Sequence, residues 1–380
     1  AVFLTGQLIS LFAIGYFYSA SSAEILYSSL AIASLINAAF SLGASAAMSK
    51  FLYAYSIEDS SLLFSALFVV RAGLGGGVVF VLWVAGLKCD YAFLVVTFLS
   101  LLSLSGDYYS ESKNDIILNS IIRIVVVLIL FLIKVMLVLN GDIETLTSIL
   151  YLDGFLVLVV YLLSSNKFTL KELNYSVIRD VPNFLKKSYS IWVAGWLQIG
   201  WTRGVYLWSQ QFLDSASANF IFVVLRVAES AIFIPNAIAS QGFPALMKSQ
   251  SGVDFNAVWK VYSRKIMLAS VVSWLGTLAF TIIYYLLVGV EFSFAWLLVW
   301  VLGFFAFYTR VLLSRFMVLH DLIKYSAETY FWAVLCSAPI LMLWQGPGAV
   351  VSSYVVFYVV SFFSVIYRPS FRFFYFSRYN

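Results

Sequence analysis

Charge is the scarcest commodity in this chain: Asp, Glu, Lys and Arg together make up 11% of its 380 residues, against roughly 25% in an ordinary soluble domain. A chain so short of charge cannot cover its surface in water, which excludes a soluble globular domain and makes lipid its solvent. Histidine is reduced to His320, and a His-based metal site is excluded with it. The two cysteines, Cys89 and Cys336, form no CxxC and have no His beside them, so no metal centre or redox pair is expected, and both read as small apolar fillers. The net charge of +5 is spread between apolar segments without a basic stripe, so a nucleic-acid partner is not expected. No cleavable leader is visible. The chain opens on Ala1 inside an apolar segment, and a few residues are expected ahead of it.

What the chain has in abundance is long apolar runs, with 62% hydrophobic and 18% aromatic residues. A membrane-crossing helix needs roughly 20 mainly apolar residues. Spans are expected at 2–18, 25–47, 62–86, 91–110, 117–139, 146–165, 188–211, 217–242, 266–287, 293–313, 327–344 and 347–367, joined by turn formers such as Asn140-Gly141-Asp142. Nineteen Lys and Arg residues fall on one set of alternating loops and helix ends, and Lys88 alone on the other. That bias places the basic side, with both termini, in the cytoplasm. The expected fold is therefore an all-α membrane protein of about 12 helices. The polar segment 166–187 reads as a cytoplasmic linker between a six-helix bundle at 1–165 and a second at 188–380 with a short tail. Two such halves in pseudo-two-fold relation are a common plan for transporters with a central site. The second and eighth expected spans end alike, in Met48-Ser49-Lys50 and Leu246-Met247-Lys248.

Charges within the spans carry the functional argument, since an ionisable group at mid-bilayer costs at least about 2.5–3.5 kcal/mol on insertion scales. Arg203 and Arg226 fall deep in the seventh and eighth spans, and Glu229 shares a helical face with Arg226 at i+3. Arg203 has no carboxylate within a helical turn along its own span and is expected to face a cavity. Asp153 lies in the sixth span and Arg123 towards the cytoplasmic end of the fifth, where the two could pair. Lys134, Arg71, Arg310 and Arg315 are expected to snorkel to an interface. The basic surplus suits an anionic substrate such as a diphosphate or acidic sugar, because Arg presents the best-shaped donors to phosphate oxygens. Pro235 and Pro244 interrupt the eighth span and are candidate hinges. The run Gly73-Leu74-Gly75-Gly76-Gly77 lacks a following Lys-Ser/Thr and reads as helix packing rather than a phosphate loop. Asn174-Tyr175-Ser176 matches a glycosylation acceptor but falls on the cytoplasmic side.

The stretch from Phe184 to Lys248 resembles the Wzx-type oligosaccharide flippases of bacterial O-antigen and capsule synthesis. The resemblance rests on Phe184, Leu185, Ser188 and Trp192 at the entry, Arg203 in the seventh span, and Arg226 with Glu229 in the eighth. It continues through Phe233-Ile234-Pro235 and Phe243-Pro244-Ala245-Leu246. The chain departs from the family pattern at Val205, where an acidic residue is usual, at Tyr16-Phe17-Tyr18-Ser19-Ala20 after the first span, and in the eleventh span, WAVLCSAPILMLW.

The resemblance implies a flippase, with no covalent chemistry, in the bacterial inner membrane. Its substrate would be an undecaprenyl-diphosphate-linked oligosaccharide repeat unit, moved between leaflets by alternating access while its lipid tail stays in the membrane lipid. A polysaccharide polymerase and a chain-length regulator are the implied protein partners. No cofactor is expected, although Glu229 or Asp153 could take protons or sodium in a coupled cycle. Two other readings stay open: a polymerase-like membrane enzyme of polysaccharide assembly, against which the short loops opposite the basic side count, and a drug or small-solute exporter of the same fold.

Overall fold

A computed structural model describes residues 19–40, 70–78 with isolated positions up to 99, 116–142, 145–146, 152–165, 175–249, 255–290, 293–319 and 322–367. These residues are helical almost throughout, with no strand among them. The helices are α1 (Ala20–Phe40), α2 (Ile116–Asn140), α3 (Leu152–Ser165), α4 (Tyr175–Ser209), α5 (Ser215–Ala231), α6 (Phe233–Ser249), α7 (Phe255–Val288), α8 (Phe294–Leu319), α9 (Ser326–Leu343) and α10 (Pro347–Ile366). A short 3-10 turn, Leu322–Tyr325, leads into α9. The expected spans at 2–18 and, apart from isolated positions, 91–110 lie outside the described residues, as do Cys89 and His320.

Six stretches are long and apolar enough to cross a membrane: Ala23–Phe40, Ser215–Ala239, Phe255–Val288, Phe294–Met317, Ser326–Leu343 and Pro347–Ile366. Their length and composition are those of a multi-pass membrane protein. The surface agrees. On α2 the outward positions include Ile121, Ile124, Val125, Leu128, Leu132 and Met136, all exposed, the inverse of a helix that faces water.

Local chemistry sets the ends of these elements. Asp214 caps α5, its carboxylate accepting from the Ser217 backbone N–H at 2.9 Å. The α10 helix starts on Pro347, whose missing N–H would be unsatisfied there in any case, after Gly346 at φ 126°. Past α2, Gly141 takes φ 74°, a conformation glycine adopts without penalty, and Asp142 then accepts from the Thr145 N–H at 3.0 Å. The 35 residues of α4, at ~1.5 Å rise, reach beyond the ~30 Å hydrocarbon layer.

The chain divides into two compact units, Ala1–Gly200 and Trp201–Asn380. The division falls within α4, not in the polar segment 166–187 expected as a linker, because residues 175–187 are already helical. That segment is polar but, with Pro182 its one helix breaker and no Gly from 175 to 187, it still supports helix. In the first unit α2 packs on α3, and the Trp192 indole of α4 donates to the Ala39 carbonyl of α1 at 2.8 Å.

In the second unit α7 packs on α5, α6 and α8, while α10 packs on α8 and α9. The interface side of α7 is a stripe of small hydroxyls, Ser270, Ser273, Thr277 and Thr281, all buried. Small residues let membrane helices approach closely, and their hydroxyls bond to backbone. An aromatic and aliphatic cluster around Trp259, Tyr262, Ile266 and Phe316 fills the space among α6, α7 and α8.

Two sequence expectations change here. Arg71, Lys134 and Arg310 do not snorkel; they are 2%, 3% and 7% exposed. For Arg310 the reason is visible: polar partners lie within reach inside the bundle. Cys336 is exposed on α9, so it fills no core space; the inward position next to it is taken by Ser337.

Candidate functional site

The expected single span at 217–242 is interrupted for one residue, Ile232, between α5 and α6, its backbone still near helical (φ -64°, ψ -16°). Proline explains the break. Pro235 has no N–H to return to the carbonyl four residues earlier, which is that of Ala231. The Ser273 hydroxyl of α7 donates to this carbonyl at 2.9 Å. Nearby, the Tyr308 hydroxyl of α8 donates to the Ala228 carbonyl at 3.0 Å and lies 2.5 Å from Thr277 Oγ1. Further along α6, the Tyr262 hydroxyl donates to the Ala239 carbonyl at 3.0 Å. Its ring lies where Gly242 has no side chain: a Cβ there would stand 2.7 Å from the Tyr262 Cδ2. Three side chains of α7 and α8 thus hold backbone carbonyls of the broken span. Pro235 is buried in the first turn of α6, and Pro244 lies within α6 with its side chain outside the described residues.

Just before the break, α4 and α5 bring three charges together. Arg203 Nη2 donates to Glu229 Oε2 in a close ion pair, and Arg226 Nη1 approaches the same oxygen at 3.5 Å. Both guanidinium carbons lie 5.6 Å from the centre of the Phe222 ring, each within range of a cation–π attraction. Among the described residues, two positive groups thus share this one carboxylate. Burial is uneven: the Arg203 side chain is 2% exposed, while Arg226 and Glu229 are each 24% exposed. Arg203 keeps two donors, Nε and Nη1, buried and without a hydrogen-bond partner.

The surroundings are aromatic. Tyr206 packs against Phe222 at 4.7 Å, and Trp201 stacks on Phe357 at 6.0 Å. The Tyr354 hydroxyl of α10 donates to the Thr202 carbonyl at 2.8 Å. Tyr308 and Tyr354 therefore commit their hydroxyl protons to backbone carbonyls and leave Glu229 to the arginines. In a low-dielectric surrounding such a surplus of donors is an electrostatic trap for an oxyanion.

Of the residues singled out from the sequence, the fold brings Arg203, Arg226 and Glu229 into one cluster. Arg203, which has no carboxylate within a helical turn along α4, receives one from the next helix. Arg123 lies on α2 and Asp153 on α3, two helices that pack together, but their side chains lie outside the described residues. Sequence reading missed Phe222, Tyr308 and Tyr354. For Phe222 a signal existed, since it stands four residues before Arg226, on the same helical face. Tyr308 and Tyr354 come from distant helices and carried none. Among the described residues no group of His, Cys, Asp and Glu could hold a metal ion.

Comparison of the chain with models of protein families and with curated proteins finds no match to either.

Proposed function

We propose that this protein is a membrane transporter for an anionic, lipid-linked saccharide, acting as a flippase of the Wzx type. The observation that carries the reading is the Arg203–Arg226–Glu229 cluster: two arginines on one carboxylate, beside a stretch, Ser215–Ala239, long and apolar enough to cross a membrane, with two donors of Arg203 unfilled. Buried charge of this kind is expensive in lipid and usually marks a substrate or ion pathway. Diphosphate oxygens match guanidinium geometry. The aromatic rings beside the cluster suit the apolar faces of sugars. The broken span next to the charges, held through side-chain hydroxyls, supplies a segment that can rearrange between two states.

The full reading is an assembly of about 12 helices in two six-helix bundles, with both termini in the cytoplasm. It would move an undecaprenyl-diphosphate-linked repeat unit across the bacterial inner membrane by alternating access. Pro235 and Pro244 are its hinge candidates, and Arg123 and Asp153 are further cavity candidates. No cofactor takes part, and coupling to protons or sodium would run through Glu229 or Asp153.

The test is replacement of Arg203 or Arg226 by Ala in cells that depend on this chain. Surface polysaccharide should be lost while the protein still inserts at normal levels. Unchanged polysaccharide with either variant would remove the cluster from the transport path.

A further inference from the structure

We infer that Glu229 is a built-in stand-in for the substrate's oxyanion: it pairs with the guanidinium donors between substrates and is displaced by a phosphate-type oxyanion during each cycle. The inference rests on the transport reading above and adds how its site is vacated.

Three observations carry it. Both arginines converge on the same oxygen, Oε2 of Glu229, so carboxylate and incoming oxyanion compete for the same N–H groups. The two halves of the pair are unequally exposed, Arg203 being 2% and Glu229 24% exposed. The carboxylate is therefore the partner able to turn away, while Arg203 stays fixed beneath it. And Arg203 holds two further donors, Nε and Nη1, buried and unpartnered, which one carboxylate oxygen leaves unfilled and the several oxygens of a phosphate group would fill once Glu229 turns away.

The physical logic is exchange of one anion for another. A bare guanidinium buried in an apolar helix bundle is strongly disfavoured, so a site built from arginines alone would hold a diphosphate too well to release it. An internal carboxylate removes that obstacle, because Glu229 returns to Arg203 as the substrate leaves. Affinity is lowered and release is accelerated by the same group. The Tyr308 and Tyr354 hydroxyls near Glu229 are not free to receive it, since they donate to the Ala228 and Thr202 carbonyls.

The test is binding of inorganic pyrophosphate to the purified full-length protein in lipid nanodiscs, measured by calorimetry for the wild type, Glu229→Gln and Arg203→Lys. Removal of the competing charge in Glu229→Gln should tighten binding by at least about 5-fold, the lower end of ordinary coupling between ligands, and should slow transport. Arg203→Lys should weaken binding. If Glu229→Gln lowers yield, Glu229→Asp provides the second arm: the shortened carboxylate withdraws from Arg203 and should also tighten binding. Equal or weaker binding by a folded Glu229→Gln or Glu229→Asp protein overturns the inference while leaving the transport reading in place. Binding of pyrophosphate by none of the proteins overturns both. A source distinction follows from chloride: competition by chloride as strong as by phosphate would identify a general anion site and overturn the phosphate-type assignment.

Discussion

Two arginines buried in the second unit meet opposite fates. Arg310 of α8 donates from Nη1 to the Ser361 carbonyl of α10 and from Nη2 to Thr329 Oγ1 of α9 at 2.7 Å, with Tyr330 beneath it at 3.9 Å. Its partners are neutral and come from two other helices, so it fastens α8 to α9 and α10. Arg203 shares a single carboxylate with Arg226 and leaves two donors unfilled. The two residues are similarly buried and differ in how well their N–H groups are satisfied. Burial of an arginine in a membrane bundle therefore does not itself identify a site; an incomplete set of partners does.

Replacement of each arginine by Met tests that contrast most directly. Hydrogen bonds to charged groups contribute about 1.5–3 kcal/mol each, so Arg310→Met should lower unfolding stability by about 3 kcal/mol. Arg203→Met should lower it less and yet abolish transport. Denaturant unfolding in detergent beside a transport assay reads both, and a reversal of the two stability losses would erase the distinction.

A finer probe uses glycines beside the two kinds of packing. Gly242→Ala drives a Cβ into the Tyr262 ring and should cost about 1–3 kcal/mol, as overpacking does. A Cβ at Gly204, next to Arg203 in the chain, meets nothing within 4 Å, so Gly204→Ala should be neutral or slightly stabilising. Thermal unfolding of the two variants distinguishes a close-packed region from an open one.

The smallest effect belongs to the α5 cap, which carries Arg226 and Glu229 on its helix. Burial draws the Asp214 carboxyl upward, but hydrogen bonds from the Ser217 side chain and backbone outweigh it, and the group ends below its ordinary value. A lowered carboxyl contributes stability above its unfolded pKa of about 3.9, and that contribution fades as pH falls through the lower folded value. Asp214→Ala should cost about 1 kcal/mol at neutral pH, and the difference from wild type should vanish in strong acid. Hydrogen exchange at the Ser217 amide against pH measures it. Asp142 behaves alike at its exposed turn, where hydrogen bonds from the Thr145 side chain and backbone hold its carboxyl below the usual range.

Much of the helical pattern was legible because hydropathy acts locally. The expected spans at 293–313, 327–344 and 347–367 correspond closely to α8, α9 and α10. The α4 helix starts at Tyr175, ahead of the span expected at 188–211, because polar residues extend a helix beyond the lipid without difficulty. The break at Ile232 was foreshadowed by Pro235, but its precise neighbours were not. The Arg203–Glu229 pair was out of reach for a geometric reason. Tyr206 lies against Phe222, and counting three residues back along α4 and three forward along α5 from that contact sets Arg203 opposite Leu225. Glu229 is one turn, about 6 Å, further on, a gap closed only by the long arginine side chain.

The sequence by itself determined that this chain is helical and made for lipid, and that Arg203, Arg226 and Glu229 are costly enough to matter. Those properties follow from composition and from helical periodicity, which depend on neighbours along the chain. Tertiary structure alone decided which buried arginine is fastened and which is left with unfilled donors. That outcome depends on carbonyls and hydroxyls delivered by helices far away in sequence: Ser361 and Thr329 reach Arg310, and among the described residues nothing equivalent reaches Nε and Nη1 of Arg203.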